Sequence, residues 1–100
     1  MDITYRLDKD ILYIAIEGRV DASNAAAAEE KIFAIKAENP GMHVVIDADN
    51  LEYISSAGLR VILKAQKAMA AKGGMIIKNV NETIMEIFEI TGFSDILTIE

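Results

Sequence analysis

The chain of 100 residues contains no cysteine and no tryptophan, and only one proline and one histidine. Without thiols there is no disulfide staple, no thiolate metal site and no cysteine nucleophile. A single histidine, His43, excludes a multi-histidine metal centre. Positive charge is also in short supply. Ten Lys and Arg stand against 16 Asp and Glu, a formal net charge of −6. That balance argues against nucleic acid as a partner, because phosphate recognition needs a concentrated basic surface. It favours a soluble monomer. No apolar run reaches the ~18–20 residues needed to span a bilayer, so no membrane segment is expected. The opening Met1-Asp2-Ile3-Thr4-Tyr5-Arg6 lacks the basic-then-apolar layout of a secretory leader, and the expected location is cytoplasmic.

What is present is ordinary globular material: 52% hydrophobic and 26% charged residues, with six glycines. One domain spanning residues 1–100 is expected, with no linker or repeat, and a chain this short must bury most of its Ile, Leu, Val and Phe. Ile3, Tyr5 and Leu7 alternate with polar neighbours, and Ile11 to Ile16 follow an acidic turn, which reads as a β-hairpin. From Ala22 the spacing of Ala25, Ala28, Ile32 and Ile35 predicts a helix, capped by Asp21 or Ser23 and stopped by Asn39-Pro40-Gly41. His43 to Asp47 is a short apolar run of the kind found in a covered strand. A polar stretch, 49–53, leads to Ile54-Ser55-Ser56-Ala57-Gly58 and a second helix from about Ala57 to Lys72. That helix has Arg60, Lys64 and Lys67 on its polar face and Leu59, Ile62 and Met69 opposite. Gly73-Gly74 ends it, and Met75 to Lys78 is a further strand. Asn81 caps a third helix closed by Gly92, and Ile96 to Ile99 is a last short strand or extended end. The expected class is α/β: a mixed sheet with packed helices, in the order β-β-α-β-α-β-α-β.

One place invites chemistry, the Ser55-Ser56 pair ahead of helix two. Serine is a preferred helix N-cap, which accounts for one of the two. Gly58 in the first turn costs helix stability and signals close backbone approach, by a partner or by the sheet beneath. A helix N-terminus also tolerates added negative charge, so a phosphate on serine there leaves the fold intact while changing what docks on the surface. Asp21, Asp47 and Asp49 are expected near the same sheet edge, where they would repel such a phosphate. Enzyme readings are weak. A nucleophile elbow needs glycine where Ile54 stands, and a Ser-His-Asp triad would have to recruit His43. No Gly-x-x-x-x-Gly-Lys-Ser/Thr phosphate loop is present, so no cofactor is expected.

Around Ile54-Ser55-Ser56-Ala57-Gly58-Leu59-Arg60 the chain resembles the STAS domain, in the short stand-alone form of bacterial anti-sigma factor antagonists. Gly18-Arg19-Val20-Asp21, Val44-Val45-Ile46-Asp47, Asn79-Val80 and Phe88-Glu89-Ile90-Thr91-Gly92-Phe93 fit in order, so the resemblance covers nearly the whole chain. It implies a non-enzymatic partner switch in transcription regulation. The unphosphorylated antagonist binds an anti-sigma factor that is also a serine kinase and so frees the sigma factor. Phosphorylation at the start of helix two breaks the complex, and a metal-dependent serine phosphatase restores it. The family pattern is Asp-Ser-Ser/Thr-Gly. Carried over by position, Ser56 is the acceptor, Ser55 stands in place of the aspartate and Ala57 in place of the second hydroxyl residue. Adjacent serines leave Ser55 as an alternative acceptor. Asp21 matches an acidic residue facing the acceptor loop, and the docking surface is expected to comprise Asp21, Ser55, Ser56, Ala57, Gly58, Arg60, Lys64 and Lys67. Two other readings stand beside it: a nucleotide sensor, and an interaction module acting on a non-sigma target with no serine phosphorylation.

Overall fold

The computed structural model describes residues 1–70 and 74–100. The two opening runs form the expected hairpin, β1 (Asp2–Asp8) and β2 (Ile11–Val20), in a register that sets Asp8 opposite Ile11 and Asp2 opposite Glu17. There follow α1 (Ala25–Glu38), β3 (His43–Asp47), β4 (Leu51–Ile54), α2 (Ser56–Ala70), β5 (Met75–Lys78), α3 (Glu82–Ile90) and a 3₁₀ turn at Phe93–Asp95. The main sheet runs β1-β2-β3-β5, antiparallel at the hairpin and parallel elsewhere, and β4 pairs in parallel with β2.

Strand alternation sorts the sheet into two faces. Ile3, Leu12, Ile14, Ile16, Val44, Ile46, Met75 and Ile77 are register neighbours and all buried, joining one core with Ala28, Ile32, Leu59, Ile62, Met69, Ile84 and Phe88 from the helices. The alternate residues Thr4, Arg6, Tyr13, His43 and Lys78 face the other way and are exposed or half-buried. There the Arg6 guanidinium lies 4.0 Å from the centre of the Tyr13 ring, a cation–π contact.

β2 is the strand that organises the rest. Its first half, Ile11 to Ala15, pairs with β3, and its last residues, Gly18 to Val20, pair with β4. The partner changes between Ala15 and Gly18, and a bulge follows between Gly18 and Arg19; Gly18 takes φ +86° and donates its N–H to Asn50 O at 2.9 Å. Glycine suits that left-handed backbone, which costs an L side chain about 1–2 kcal/mol.

Several expectations need correction. Residues 51–53, the end of the expected polar stretch, belong with Ile54 to the strand β4, in which Leu51 and Ile54 are buried, Tyr53 half-buried and Glu52 exposed. α1 starts at Ala25 rather than Ala22, and neither Asp21 nor Ser23 caps it; Asn24 holds the N-cap position without a side-chain cap bond. Residues 21–24 form a turn of their own. In it the Asp21 C=O accepts from Ala25 N–H, the Asn24 amide donates to Arg19 O, and Asn24 Oδ1 accepts from Asp21 N–H. Of the two readings of the C-terminal segment, the extended end holds: after the 3₁₀ turn one bridge, Ile99 with Ile77, joins it to the sheet. Asn81 does cap α3, accepting from Ile84 N–H at 2.9 Å, and Gly92 follows it with φ +80°. The end of helix two at Lys72 and the turn at Gly73 lie outside the described residues.

Candidate functional site

The site grows from the end of β4. Ile54 pairs with Val20, and the next N–H, that of Ser55, donates to Val20 O at 2.8 Å. Ser55 thus ends the strand and opens the helix at once. Its C=O accepts the first helical bond, from Leu59 N–H at 2.8 Å, and its Oγ accepts from Gly58 N–H at 3.3 Å. That is an N-cap arrangement, and it commits the Ser55 hydroxyl to the fold. Ser56 is the first residue of α2 and is exposed, and its hydroxyl has no hydrogen-bond partner among the described residues. Ser56, the expected acceptor, and Ser55, the alternative, therefore stand in different settings.

Gly58 answers the question its presence raised. A Cβ there would lie 2.6 Å from Ile54 Cγ1 and 2.9 Å from Val20 Cγ1, both buried. The close approach is made by the sheet. α2 sits down on β2 and β4 at its first turn, which fixes where Ser56 points.

Positions 56, 60, 64 and 67 fall within about 80° of one another on a helix of 100° per residue. Ser56 therefore shares its face with Arg60, Lys64 and Lys67, all exposed. Lys64 leans on α1 through Glu29 at 3.3 Å, an exposed pair of little energetic weight. Arg60 and Lys67 have no ion-pair partner among the described residues. The first turn of α2 carries no acidic residue, so the positive end of the helix dipole is unopposed from within.

Asp21 follows Val20 and so runs alongside Ser55. Its carboxylate accepts from Ser23 Oγ and, at 2.9 Å, from Ser23 N–H. Those two bonds, with the nearby Arg19 guanidinium, hold its pKa below the ordinary aspartate value despite some loss of hydration. Asp21 thus borders the loop as a firmly ionised carboxylate turned to its own turn. The other acids do not join it. Asp47 sits opposite Ala15, six residues back along β2, roughly 15–20 Å away at strand rise, and there it accepts from Asn79 Nδ2 at 3.0 Å and from Asp49 N–H. The expected gathering of Asp21, Asp47 and Asp49 at one edge is therefore corrected: β2 is long enough to separate them.

His43 is exposed at the opposite end of β3, 3.8 Å from Asp10 and opposite Ile11. Nine strand steps, roughly 30 Å, separate that register position from Val20 and Ser55, which removes a triad. Among the described residues no group of three or more His, Asp or Glu is arranged to hold a metal ion. A cleft of about 520 Å³ is lined by Glu17, Asp49 and Glu52 with Asn50 and Asn81, and its carboxylates repel nucleotide phosphates. No helix among the described residues is long and apolar enough to cross a membrane.

A feature missed from sequence adjoins the loop. Arg19 and Tyr53 are partners across β2 and β4, and the guanidinium lies 4.4 Å from the ring centre. The signal for it was the strand character of residues 51–54, which their polar neighbours hid.

Comparison with known proteins agrees with this geometry. The sequence model described as the STAS domain matches residues 2–100. A Bordetella bronchiseptica protein named as a candidate anti-sigma factor antagonist, BtrV, is 32% identical over 100 residues, covering 99% of this chain and 85% of its own. An anti-sigma factor antagonist from Mycobacterium paratuberculosis has the same fold, with TM-score 0.86 at 19% identity over 98% of this chain and 83% of its own. So does the anti-sigma factor antagonist SpoIIAA of Bacillus. It has been solved unphosphorylated, with TM-score 0.78 at 16% identity over 99% of this chain and 88% of its own. It has also been solved phosphorylated, with TM-score 0.69 at 18% identity over 99% of this chain and 91% of its own. With its mixed sheet, three helices and serine loop at the head of α2, the chain belongs to the STAS domain family.

Proposed function

We propose that this protein is an anti-sigma factor antagonist that works as a phosphorylation-controlled partner switch in bacterial transcription. Unphosphorylated, it presents the Ser55–Gly58 loop and the Arg60, Lys64 and Lys67 face of α2 to an anti-sigma factor that is also a serine kinase. Binding releases the sigma factor, phosphorylation of Ser56 ends the complex, and a metal-dependent serine phosphatase resets it. The reading is of a cytoplasmic phosphoprotein with no catalysis of its own.

The observation that carries this is the division of labour between the serines: the Ser55 hydroxyl is spent on the helix cap, whereas Ser56 is exposed and unbonded on the cationic face. A phosphate on Ser56 adds about −1.5 to −2 charges. It would stand at the N-terminus of a 15-residue helix, one turn from Arg60, where the fold accepts an anion. The folded structure has no reason to change, but most of the positive charge on this face is cancelled. A partner matched to the unmodified face then meets the wrong potential and an added group of atoms. That relatives bear the name anti-sigma factor antagonist, and that one is known in a phosphorylated form, supports the reading.

The test is site-mapping mass spectrometry of the protein from its native cells before and after stress, joined to capture of its partner. A condition-dependent phosphate on Ser56, and a captured kinase that loses calorimetric affinity for Ser56→Asp by at least tenfold, are expected. A phosphate only on Ser55 would overturn the site assignment. Absence of phosphate under every condition, with Ser56→Asp binding like wild type, would leave a constitutive interaction module in its place.

A further inference from the structure

β1 forms the outer edge of the sheet on its side, pairing with β2 and with no other strand among the described residues. Three of the large exposed hydrophobic side chains gather along it: Met1 at 42%, Tyr5 at 46% and Leu7 at 52% exposure. Strand alternation puts all three on one face, with buried Ile3 between them. The other face carries Asp2, Thr4, Arg6 and Asp8, and Asp2 lies opposite Glu17, a like-charge pair.

Charges on an edge strand usually keep other strands away. Against a second copy of the same strand, the result depends on register. Two antiparallel copies related by a twofold axis must match outward-facing backbone groups, so the axis passes through a residue and never between two. Centred on Tyr5, it sets Asp2 against Asp8 twice; centred on Arg6, it sets Arg6 against itself. Centred on Thr4, it sets each Asp2 against the copy's Arg6, Ile3 against Tyr5, Met1 against Leu7, and Thr4 against Thr4. Every one of those pairs is complementary, and the incoming Arg6 also offsets the Asp2–Glu17 repulsion.

We propose that the chain self-associates through β1 in this Thr4-centred register, extending the sheet across a twofold axis into a reversible dimer. Helix α1 permits it. Glu29 marks the side of α1 that faces α2, and the opposite side exposes the small Ala27 and Ala34 beside Lys31 and Glu38, flexible chains of opposite sign that two copies can interleave above the axis. The net charge of −6 on each copy opposes association and is screened at physiological salt, which makes the dimer concentration-dependent. The monomer expected from net charge alone is then the dilute form.

Sedimentation velocity on the full chain, from micromolar to millimolar concentration, tests this alongside Arg6→Asp, Asp2→Arg and the double exchange. Circular dichroism confirms that each variant is folded. Wild type should dimerise, each single reversal should weaken the dimer about tenfold by turning two attractive pairs repulsive, and the double exchange should restore it. A wild type that stays monomeric to the top of the range overturns the proposal. So does a dimer indifferent to the reversals, or one that the double exchange fails to rescue.

Discussion

Replacing Gly58 by alanine sets two effects of known sign against each other. In a solvent-facing helix the change is favourable, because alanine is the better helix former by about 1 kcal/mol. Here the added methyl would stand 2.6 Å from Ile54 Cγ1 and 2.9 Å from Val20 Cγ1, with Ile54 Cδ1 at 3.3 Å. Carbon atoms rest about 3.5–4.0 Å apart, so the first contact is short by roughly 1 Å. Neither neighbour yields easily: Ile54 is 2% and Val20 4% exposed, both are β-branched, and they pair with each other across β2 and β4. Overpacking of this kind costs about 1–3 kcal/mol, so the net expectation is a loss of about 1–2 kcal/mol. Urea unfolding followed by circular dichroism reads that as a lower midpoint at unchanged slope. Repeating the substitution with Val20→Ala, which removes one of the colliding methyls, should cut the loss by about 0.5–1 kcal/mol. An alanine variant as stable as wild type, or more so, would refute the claim that α2 rests directly on the sheet at this point.

Other consequences can be checked on the same material. Ser55→Ala should cost about 1 kcal/mol in urea unfolding as the cap is lost, whereas Ser56→Ala should change stability by less than about 0.5 kcal/mol; equal effects would undo the distinction between the two hydroxyls. Asn81→Ala removes both the cap to Ile84 N–H and the Nδ2 bond to Leu51 O, and should cost about 1–2 kcal/mol by the same assay. Asp21 titrates below the ordinary aspartate value in the folded chain, so its contribution is present above the unfolded-state pKa and is lost as pH falls through the folded-state pKa. In Ser23→Ala the Asp21 carboxyl, followed by NMR, should titrate at higher pH than in wild type; an unchanged midpoint would mean the Ser23 bonds do not hold it.

How much of this was legible in the sequence depended on how strongly each segment contrasts with its surroundings. His43–Asp47 is an apolar run between a turn and a polar loop, and it is the strand β3. β4 was hidden because Asp49 and Asn50 precede it and Glu52 interrupts it; only pairing with the far half of β2 makes four residues a strand. The start of α1 was misplaced because alanine at 22 and 25–28 supplies helix propensity without a phase, and the closed turn at 21–24 depends on side-chain bonds that propensity cannot register. The serine loop could be located from its resemblance to a family. Which hydroxyl is spent on the cap could not, because that turns on where Ser55 leaves the strand. The spread of Asp21, Asp47 and Asp49 likewise depended on the length and register of β2.

The change of partner along β2 has a consequence for how the molecule breathes. The half that holds β3 is locked into a ladder of five register pairs on one side and the hairpin on the other. The half that holds β4 has three pairs, two of them beyond the bulge after Gly18, and Ser55 hangs from the last of them. Few ladder bonds therefore hold the serine end, and it stays closed because Val20, Leu51 and Ile54 are buried in the core, so opening it exposes apolar surface as well as breaking bonds. An enzyme that acts on a helix-terminal hydroxyl would then have to take the exposed Ser56 in place, with the domain folded around it.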